Sequence, residues 1–362
     1  MSANGTIEVP ISIPGSPCRI LVGRGLLATA GQNCADHGWG ASCALISDDT
    51  VARLHGETVK ASLENAGYRV TLLTVPPGEK SKSMRAAEDL CDRMVEAGLD
   101  RGSFLVALGG GVVGDLAGFV AAVYHRGIPF VQIPTTIVAQ VDSSIGGKTG
   151  VNARAGKNLI GCFHQPRLVL ADITTLSTLP DREYREGFAE VIKHAAIRDA
   201  AMLADLDPQA PRESLAPLIA RNIAIKAAIV AEDEREETGA RALLNFGHTI
   251  GHAIENVAGY GQFLHGEAIS LGLCAALEIS QRKFGLAAPD AERVRAKLAA
   301  FGLPLVLPST LGTDALLAAA GKDKKFIAGK IRFVVVPRLG HAEMSSEVTE
   351  SDLRTAIDSL RE

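Results

Sequence analysis

Short apolar runs alternate with helix-length amphipathic segments through the first half of the chain. The runs are RILVG (19–23), CALISDD (43–49), YRVTLLTV (68–75), FLVALG (104–109), PFVQIP (129–134) and RLVLADI (167–173). Runs this short and this apolar are typical of strands buried on both faces, and the segments between them are long enough for crossover helices. The pattern predicts βα units that form a mainly parallel, Rossmann-like sheet covered by helices.

The pattern changes after Leu179, where long helical periodicities replace the alternation of runs and helices. A chain of 362 residues is long enough to bury two separate cores. We therefore predict an N-terminal α/β domain over residues 1–179 and a mostly helical C-terminal domain over residues 180–362.

A glycine-rich turn follows the fourth apolar run. The sequence GGGVVGD (109–115) contains GxGxxG as Gly109, Gly111 and Gly114, ahead of the apolar helix pattern LAGFVAAVY. In this context a helix N-terminus can bind a pyrophosphate. The acid expected about twenty residues further on in a standard dinucleotide fold is missing, although Asp48 ends the second run and could bind a ribose. Dinucleotide binding and simple close packing are both open readings of this turn.

The stretch from Val141 to Phe163 combines glycines with lysines. It contains Asp142, Lys148 and Lys157 together with Gly146, Gly147, Gly150, Gly156 and Gly161. Glycine at this density lets backbone N–H groups approach an anion, so we interpret the stretch as a loop around a negatively charged group. A P-loop is excluded because Asp142 stands where that motif requires a glycine. The alternative is a solvated surface loop, which two lysines in one loop disfavour.

Polar side chains form a stripe on residues 237–256, which we predict to be one helix. Arg241, Asn245, His248 and His252 recur at helical spacing among apolar neighbours. A lone histidine in such a setting is usually a hydrogen-bonded core residue. Four aligned polar residues instead favour a helix that faces a buried polar cavity.

Glu190 lies in an apolar stretch with Lys193 one turn later, so these two residues could form an ordinary ion pair. Together with His248 and His265, Glu190 would make a three-ligand set for zinc that leaves a coordination position open. His248 and His252 lie one turn apart and offer a competing chelating pair. Sequence spacing does not choose between the two sets.

Composition removes several classes of function. The formal net charge of −4 supplies no basic field for nucleic acid or an anionic membrane, so an anionic ligand needs a local cluster. The six cysteines are scattered without a CxxC pair, which disfavours disulfide frameworks and thiolate zinc sites. The N-terminus lacks the apolar core of a signal peptide, and no membrane-length apolar run follows. We expect a cytoplasmic protein that neither binds nucleic acid nor inserts into a membrane.

A series of motifs resembles the 3-dehydroquinate synthase family of sugar-phosphate cyclases. In that family's order and spacing, the chain reads GGGVVGDLAGFVA, YHRGIPFVQIPTT, VDSSIGGKTGVN, GKNLIGCFHQP, TLPDREYREGFAEVIK, NFGHTIGHAIE, HGEAISLG and DKK. The resemblance implies an NAD-binding α/β domain, a helical metal- and substrate-binding domain, an active site between them and a homodimer. It implies a lyase that uses NAD and Zn²⁺ or Co²⁺ to convert 3-deoxy-D-arabino-heptulosonate 7-phosphate into 3-dehydroquinate and phosphate. That reaction is the second step of the shikimate pathway to chorismate.

Carried over residue by residue, the resemblance assigns metal ligation to Glu190, His248 and His265. It assigns NAD contacts to Asp48, Glu79, Lys82, Gly111, Val112, Val113, Gly114, Asp115, Thr135, Thr136, Lys148, Lys157, Thr175, Leu176, Ser177 and Thr178. It assigns catalytic or substrate contacts to Arg126, Asp142, Lys148, Lys157, Asn158, Lys193, Arg241, Asn245, His252 and Lys324, with Lys325 as an alternative to Lys324.

The implied reaction passes through transient oxidation by NAD, elimination of phosphate, return of the hydride and an intramolecular aldol closure. A metal lowers the pKa of the hydroxyl that is oxidised. Lysine and arginine side chains neutralise the departing phosphate, here Lys148, Lys157 and Arg126. Arg241 and Asn245 suit the substrate carboxylate, because the guanidinium fork matches its geometry.

Three other readings stay open. A different sugar-phosphate cyclase would act on a substrate without the carboxylate, which Arg241, Asn245 and Lys324 disfavour. A metal-dependent polyol dehydrogenase would consume NAD stoichiometrically, which the lysine-rich stretch disfavours. A catalytically dead NAD-binding regulator is disfavoured because every expected polar position is filled.

Overall fold

A seven-stranded sheet, parallel except at its first strand, forms the centre of the first part of the chain. The computed structural model describes residues 5–11, 17–154, 156–259, 261–321, 326–327 and 330–361. At residues 326, 327 and 330 it describes only the backbone. Its strand order is β1-β2-β9-β6-β5-β3-β4 when the described strands are numbered along the chain. They are β1 (Ile7–Val9), β2 (Arg19–Gly23), β3 (Ser42–Asp48), β4 (Arg69–Val75), β5 (Phe104–Gly109), β6 (Phe130–Pro134), β7 (Lys148–Ala153), β8 (Gly156–Phe163), β9 (Leu168–Asp172), β10 (Phe326–Ile327), β11 (Lys330–Ile331), β12 (Phe333–Arg338) and β13 (His341–Ser345).

The helices of the described residues are α1 (Ala30–Ala35), α2 (Asp49–Val51), α3 (Glu57–Asn65), α4 (Met84–Glu96), α5 (Gly111–Val123), α6 (Asp181–Glu186), α7 (Phe188–Arg198), α8 (Met202–Asp205), α9 (Ala216–Glu232), α10 (His248–Ala258), α11 (His265–Phe284), α12 (Ala288–Ala300), α13 (Thr313–Gly321) and α14 (Glu350–Ser359). Short 3₁₀ segments lie at Leu27–Thr29, Glu79–Ser81, Tyr124–Arg126, Ile173–Thr178, Arg212–Ser214 and Arg241–Asn245. π-Helical turns lie at Ala52–Gly56 and Ala139–Ser143. None of these helices combines the length and apolar composition that crossing a membrane requires.

The sheet separates two apolar cores, as expected for strands buried on both faces. Along β3, Ala44 and Ile46 face the core that contains α4 and α5, whereas Cys43 and Leu45 face the core that contains α1 and α3. All six predicted runs coincide with strands of this sheet, and the strands other than β1 pair in parallel. The predicted α/β fold with a mainly parallel sheet is therefore confirmed.

Two compact units divide the chain. The first comprises residues 1–180 and 210–235, and the second comprises residues 181–209 and 236–362. Residues 210–235 were predicted as part of the C-terminal domain, but their helix α9 packs on β1, β2 and the π turn at Ala139–Ser143 and so groups with the first unit. In the second unit, α11 is buried along most of its length and contacts α7, α10, α12 and α14.

Most of the glycine-rich stretch is a β-hairpin, and the expected irregular loop is wrong for residues 148–163. Strands β7 and β8 pair antiparallel, with Lys148 opposite Phe163 and Ala153 opposite Gly156. Two of the glycines allow the strands to approach: a Cβ on Gly161 would lie 2.3 Å from the Thr149 carbonyl oxygen. These glycines therefore serve strand packing, and Gly147, with φ of +64°, turns the chain into the hairpin.

Residues 237–256 do not form one helix, so that prediction is wrong. Arg241–Asn245 is a 3₁₀ turn, and α10 begins only at His248, after Gly247 with φ of +79°. A Cβ added to Gly272 of α11 would lie 2.0 Å from the Gly247 carbonyl oxygen. This backbone contact requires the bend at Gly247, which removes Arg241 and Asn245 from the helical stripe of His248 and His252.

We predict that Gly272→Ala destabilises the protein by about 2 kcal/mol or more, because the new methyl group overlaps a backbone atom that is itself packed. Equilibrium unfolding in urea measures the change. Gly312→Ala is the matched control in the same unit, since no atom lies within 4 Å of its added Cβ, and its effect should stay within about 0.5 kcal/mol. Equal stabilities for the two variants would contradict the proposed contact.

Candidate active site

Five adjacent parallel strands end in loops that carry the predicted dinucleotide contacts. Asp48 ends β3, Glu79 to Lys82 follow β4, Gly111 to Asp115 follow β5, Thr135 and Thr136 follow β6, and Thr175 to Thr178 follow β9. The carboxyl ends of parallel strands meet at one edge of a sheet, so the fold brings all five groups to that edge. The glycine turn lies beside the point where the strand order reverses, between β3 and β5.

The glycine turn serves close packing and also presents a helix N-terminus. A Cβ on Gly109 would lie 2.7 Å from the Val113 side chain, and one on Gly114 would lie 2.7 Å from Gln132 Oε1. Helix α5 starts at Gly111 without a side-chain cap on its first turn. Backbone N–H groups at such a terminus suit a pyrophosphate, so the two readings of this turn are compatible.

A hydrogen-bond network joins the turn after β4 to α5 and to the hairpin. Lys82 Nζ donates to Asp115 Oδ2 at 2.5 Å and to Asn158 Oδ1. Asn152 Nδ2 donates to Glu79 Oε1 at 2.8 Å. Burial raises the pKa of Asp115, and the adjacent Lys82 ammonium opposes that effect. The predicted NAD contacts Glu79, Lys82 and Asp115 thus lie together with Asn158, a predicted substrate contact.

The loops after β6 and β9 are tied to each other by a buried amide. Gln140 Nε2 donates to the carbonyl oxygens of Pro134 at 3.2 Å and Asp172 at 3.1 Å. Thr178 Oγ1 donates to the Thr175 carbonyl oxygen and lies 2.9 Å from His55 Nε2. These contacts fix the loops that carry the predicted contacts at 135–136 and 175–178.

Lys226 is a buried lysine that was not among the predicted site residues. Its Nζ donates to the carbonyl oxygen of Asp142 at 2.5 Å and to Asp142 Oδ1 at 2.8 Å. Asp142, a predicted substrate contact, lies in the π turn at Ala139–Ser143. A signal was present in the sequence, since Lys226 continues the apolar stripe of Ile219 and Ile223 along α9.

Two of the predicted cations of the first unit lie at opposite ends of the hairpin, and the third follows helix α5. Lys148 is exposed at one end of the hairpin, while Lys157 lies about 13 Å away at the other end by strand geometry. Arg126 is exposed beyond the C-terminal end of α5, about 20 Å from Gly111 along the helix. The fold of one chain therefore does not bring Arg126 to the dinucleotide loops.

In the second unit, a buried carboxylate faces two imidazoles. Glu190 Oε1 lies 3.4 Å from His248 Nε2 and 3.4 Å from His265 Nε2. The other oxygen, Oε2, accepts a hydrogen bond from Lys193 Nζ. Oε1 is buried and has no hydrogen-bond partner among the described residues. An orphaned oxygen with two ring nitrogens beside it matches the donor set of a divalent metal ion.

Hydrogen bonds orient both imidazoles with Nε2 towards Glu190. His248 Nδ1 lies 3.2 Å from the Phe246 carbonyl oxygen, and His265 Nδ1 lies 3.4 Å from Glu255 Oε2. Burial and the Lys193 ammonium hold the pKa of His248 well below its usual value, so its ring is neutral. Burial opposes protonation of His265, but the Glu190 and Glu255 carboxylates raise its pKa well above the usual value.

Burial disfavours the ionised form of Glu190, but Lys193 and the two histidines hold its pKa well below the usual value.

His252 is exposed on α10, with its ring centroid 5.2 Å from that of His248. Arg241 is buried and Asn245 half-buried in the 3₁₀ turn before α10. Lys324 and its alternative Lys325 lie outside the described residues.

Two family models match consecutive parts of the chain. The 3-dehydroquinate synthase N-terminal model matches residues 72–186, and the 3-dehydroquinate synthase C-terminal model matches residues 187–326. The chain belongs to the 3-dehydroquinate synthase family. The resemblance of the motifs is thereby confirmed.

Relatives of the 3-dehydroquinate synthase family agree in sequence and in fold. The 3-dehydroquinate synthase of Caulobacter vibrioides is 46% identical over 361 residues, covering 96% of this chain and 97% of that protein. The 2-epi-5-epi-valiolone synthase of Streptomyces hygroscopicus, with NAD⁺ and Zn²⁺ bound, has a TM-score of 0.85 at 27% identity and covers 96% of this chain and 98% of its own. A 2-deoxy-scyllo-inosose synthase with carbaglucose-6-phosphate, NAD⁺ and Co²⁺ has a TM-score of 0.87 at 26% identity, covering 98% and 99%.

We predict that His265→Ala removes bound metal from the purified protein, because a three-ligand site rarely survives the loss of one donor. His252→Ala should retain close to one metal ion per chain and lose turnover, since its ring lies outside the Glu190, His248 and His265 set. Elemental analysis of the two dialysed variants measures metal content directly. A metal-free His252 variant beside a metal-replete His265 variant would reverse the assignment.

Proposed function

We propose that this protein converts 3-deoxy-D-arabino-heptulosonate 7-phosphate into 3-dehydroquinate and phosphate, as an NAD- and divalent-metal-dependent carbon–oxygen lyase. The observation that carries the proposal is the convergence of Glu190, His248 and His265 in a member of the 3-dehydroquinate synthase family. The first unit binds NAD through its five carboxyl-edge loops, and the second unit holds Zn²⁺ or Co²⁺ and substrate.

When bound, NAD accepts and returns one hydride in each turnover, and the divalent metal polarises the substrate hydroxyl that is oxidised. Glu190 Oε1 and the Nε2 atoms of His248 and His265 are the proposed ligands. Lys193 neutralises the second oxygen of Glu190, so the carboxylate stays ionised although it is buried. The exposed ring of His252 stands beside His248 and can hold a proton for the departing phosphate.

In this proposal, polar and cationic side chains bind the two anionic groups of the substrate, its carboxylate and its phosphate. Arg241 and Asn245 bind the carboxylate, and the Lys148 ammonium neutralises the phosphate as it leaves. At the other end of the hairpin, Lys157 and Asn158 adjoin the dinucleotide turn through Lys82. Lys226 joins the proposed site because it fixes Asp142.

Other sugar-phosphate cyclases are the nearest alternative, since two of them share the fold closely. Their identity to this chain is 26–27%, whereas the Caulobacter vibrioides 3-dehydroquinate synthase is 46% identical. A buried arginine at position 241 also favours a substrate with a carboxylate over an uncharged cyclitol precursor.

We predict phosphate release from the heptulosonate phosphate with catalytic NAD and no net accumulation of NADH. The hydride returns to the substrate in each cycle, so NAD is regenerated. A coupled phosphate assay and absorbance at the NADH wavelength measure both quantities in one sample. NADH that rises in step with turnover would instead identify a dehydrogenase.

A homodimer is part of the proposal. Strand β8 exposes Leu159, Ile160 and Phe163, with 49%, 38% and 45% of their surfaces accessible. Among the described strands, β8 pairs only with β7, so its other edge is open to a second copy of the chain. The end of β8 adjoins the segment of Arg126, because His164 Nε2 lies 2.9 Å from the Ile128 carbonyl oxygen. We propose that a second copy pairs with β8 and that Arg126, which lies away from the dinucleotide loops of its own chain, acts on the site of that copy.

We predict that two inactive variants complement each other. Lys148→Ala and Arg126→Ala should each lower turnover about a hundredfold or more. An equal mixture of the two, refolded together, should regain about a quarter of wild-type activity. Random pairing makes about half of the dimers mixed, and one of the two sites in each mixed dimer contains Lys148 of its own chain and Arg126 of the other. A mixture no more active than the separate variants would show that Arg126 does not act across the dimer.

We assign the protein to the cytoplasm. All six cysteines are free thiols, as is usual in a reducing compartment. Fractionation of cells that express the untagged chain, with phosphate release as the readout, tests this assignment.

A further inference from the structure

Asn152 is hydrogen-bonded through its backbone and through both ends of its side chain. Its backbone N–H donates to the Lys82 carbonyl oxygen at 2.9 Å. Its Nδ2 donates to Glu79 Oε1 at 2.8 Å, and its Oδ1 accepts from the Asn158 backbone N–H at 3.0 Å. One amide therefore links the turn after β4 with the returning strand of the hairpin.

The hydrogen bond to Asn158 supports an unusual backbone conformation. Asn158 has φ of +56°, in the left-handed region where residues other than glycine are uncommon. In this conformation its side-chain oxygen accepts from Lys82 Nζ, which also donates to Asp115. The conformation of Asn158 and the position of the Lys82 ammonium are thus set together, and Asn152 bonds to the backbone of both residues.

The side chain of Asn152 lies at the register shift of the hairpin, between Val151 and Ala153. The ladder pairs Val151 with Ile160 and Ala153 with Gly156 on either side of it. Its Nδ2 donates a hydrogen bond to Glu79, which lies outside the hairpin and 73 positions away in sequence. The bond therefore acts between the turn, which is assigned to NAD, and the end of the hairpin that carries Lys157, assigned to both ligands, and Asn158, assigned to substrate.

We propose that Asn152 is a positioning residue that couples the NAD-binding turn at Glu79 and Lys82 to the substrate-binding end of the hairpin at Lys157 and Asn158. The inference rests on the proposed function. With the Asn152 bonds in place, NAD binding to the turn holds the hairpin residues in their substrate-binding position. Without them, each ligand has to order its own element, so both affinities fall together.

The test exchanges donor and acceptor in the hydrogen bond between the side chains of Asn152 and Glu79. In Asn152→Asp the new carboxylate still accepts from the Asn158 N–H but faces the Glu79 carboxylate, so the link to the turn is lost. Adding Glu79→Gln supplies a new amide donor towards that carboxylate and restores the link. Glu79→Gln alone reports the direct effect of Glu79 on NAD. Asn33→Asp is the matched control, because this asparagine lies on α1 and its side chain bonds to Thr29, one helical turn before it.

For Asn152→Asp we expect the Kd of NAD, measured by calorimetry without substrate, to rise about tenfold. The KM for the heptulosonate phosphate should rise several-fold, kcat with both ligands saturating should fall less than about threefold, and the melting temperature should stay near wild type. The double variant should return to within about twofold of Glu79→Gln in both constants. Asn33→Asp should match wild type.

Three outcomes would overturn the proposal: unchanged Kd and KM in Asn152→Asp, a loss of kcat alone with unchanged Kd and KM, or a double variant no better than Asn152→Asp. The second of these would identify a merely structural role. Failure of the proposed function is a separate result, because wild-type protein would then release no phosphate, while the effect on the Kd of NAD could still be measured.

Discussion

The carboxylate of Glu190 is fully buried, and the second unit is built to compensate its charge. An isolated carboxylate in a protein interior is costly, so its surroundings have to supply opposite charge or hydrogen bonds. Lys193 supplies the charge from the next turn of α7 and bonds to one oxygen. The other oxygen is left for the Nε2 atoms of His248 and His265, which come from α10 and α11. Three helices therefore have to meet at one point, and α11, which packs on both of the others, is the element that makes this possible.

The sheet could be predicted from the sequence because its strands are buried on both faces. Burial on both faces produces short, almost continuous apolar runs, and such runs can be recognised from the sequence alone. The loops at the carboxyl edge followed from the same reasoning, since the edge is fixed once the strands are parallel. Glu190 was conspicuous for the opposite reason, as a charged residue within an apolar stretch.

Two local structures were misjudged because glycine has more than one use. The hairpin glycines Gly150 and Gly161 allow two strands to approach, whereas the sequence suggested backbone exposed to an anion. Helical periodicity continued across residues 237–256, but Gly247 breaks the helix through its contact with α11. In both cases the deciding partner is distant in sequence. Lys226 escaped notice for the same reason, and the partner of Asn152 could not be foreseen, since Asp142 and Glu79 lie 84 and 73 positions away from these residues.

The contact between Gly247 and Gly272 also has a consequence for redesign of this protein. The position of α10 relative to α11 is set where the Gly247 carbonyl oxygen meets Gly272, with the side chains of Ile269 and Leu273 packed beside this backbone contact. Such contacts cannot be adjusted by rotamer changes, unlike the side-chain packing in the rest of the core. Volume-conserving exchanges of apolar residues elsewhere on α11 should therefore disturb the spacing of His248 and His265 less than a substitution at either glycine. An engineering library that varies the core should leave both glycines unchanged, together with Ile269 and Leu273, whose side chains pack against Gly251 and Gly247.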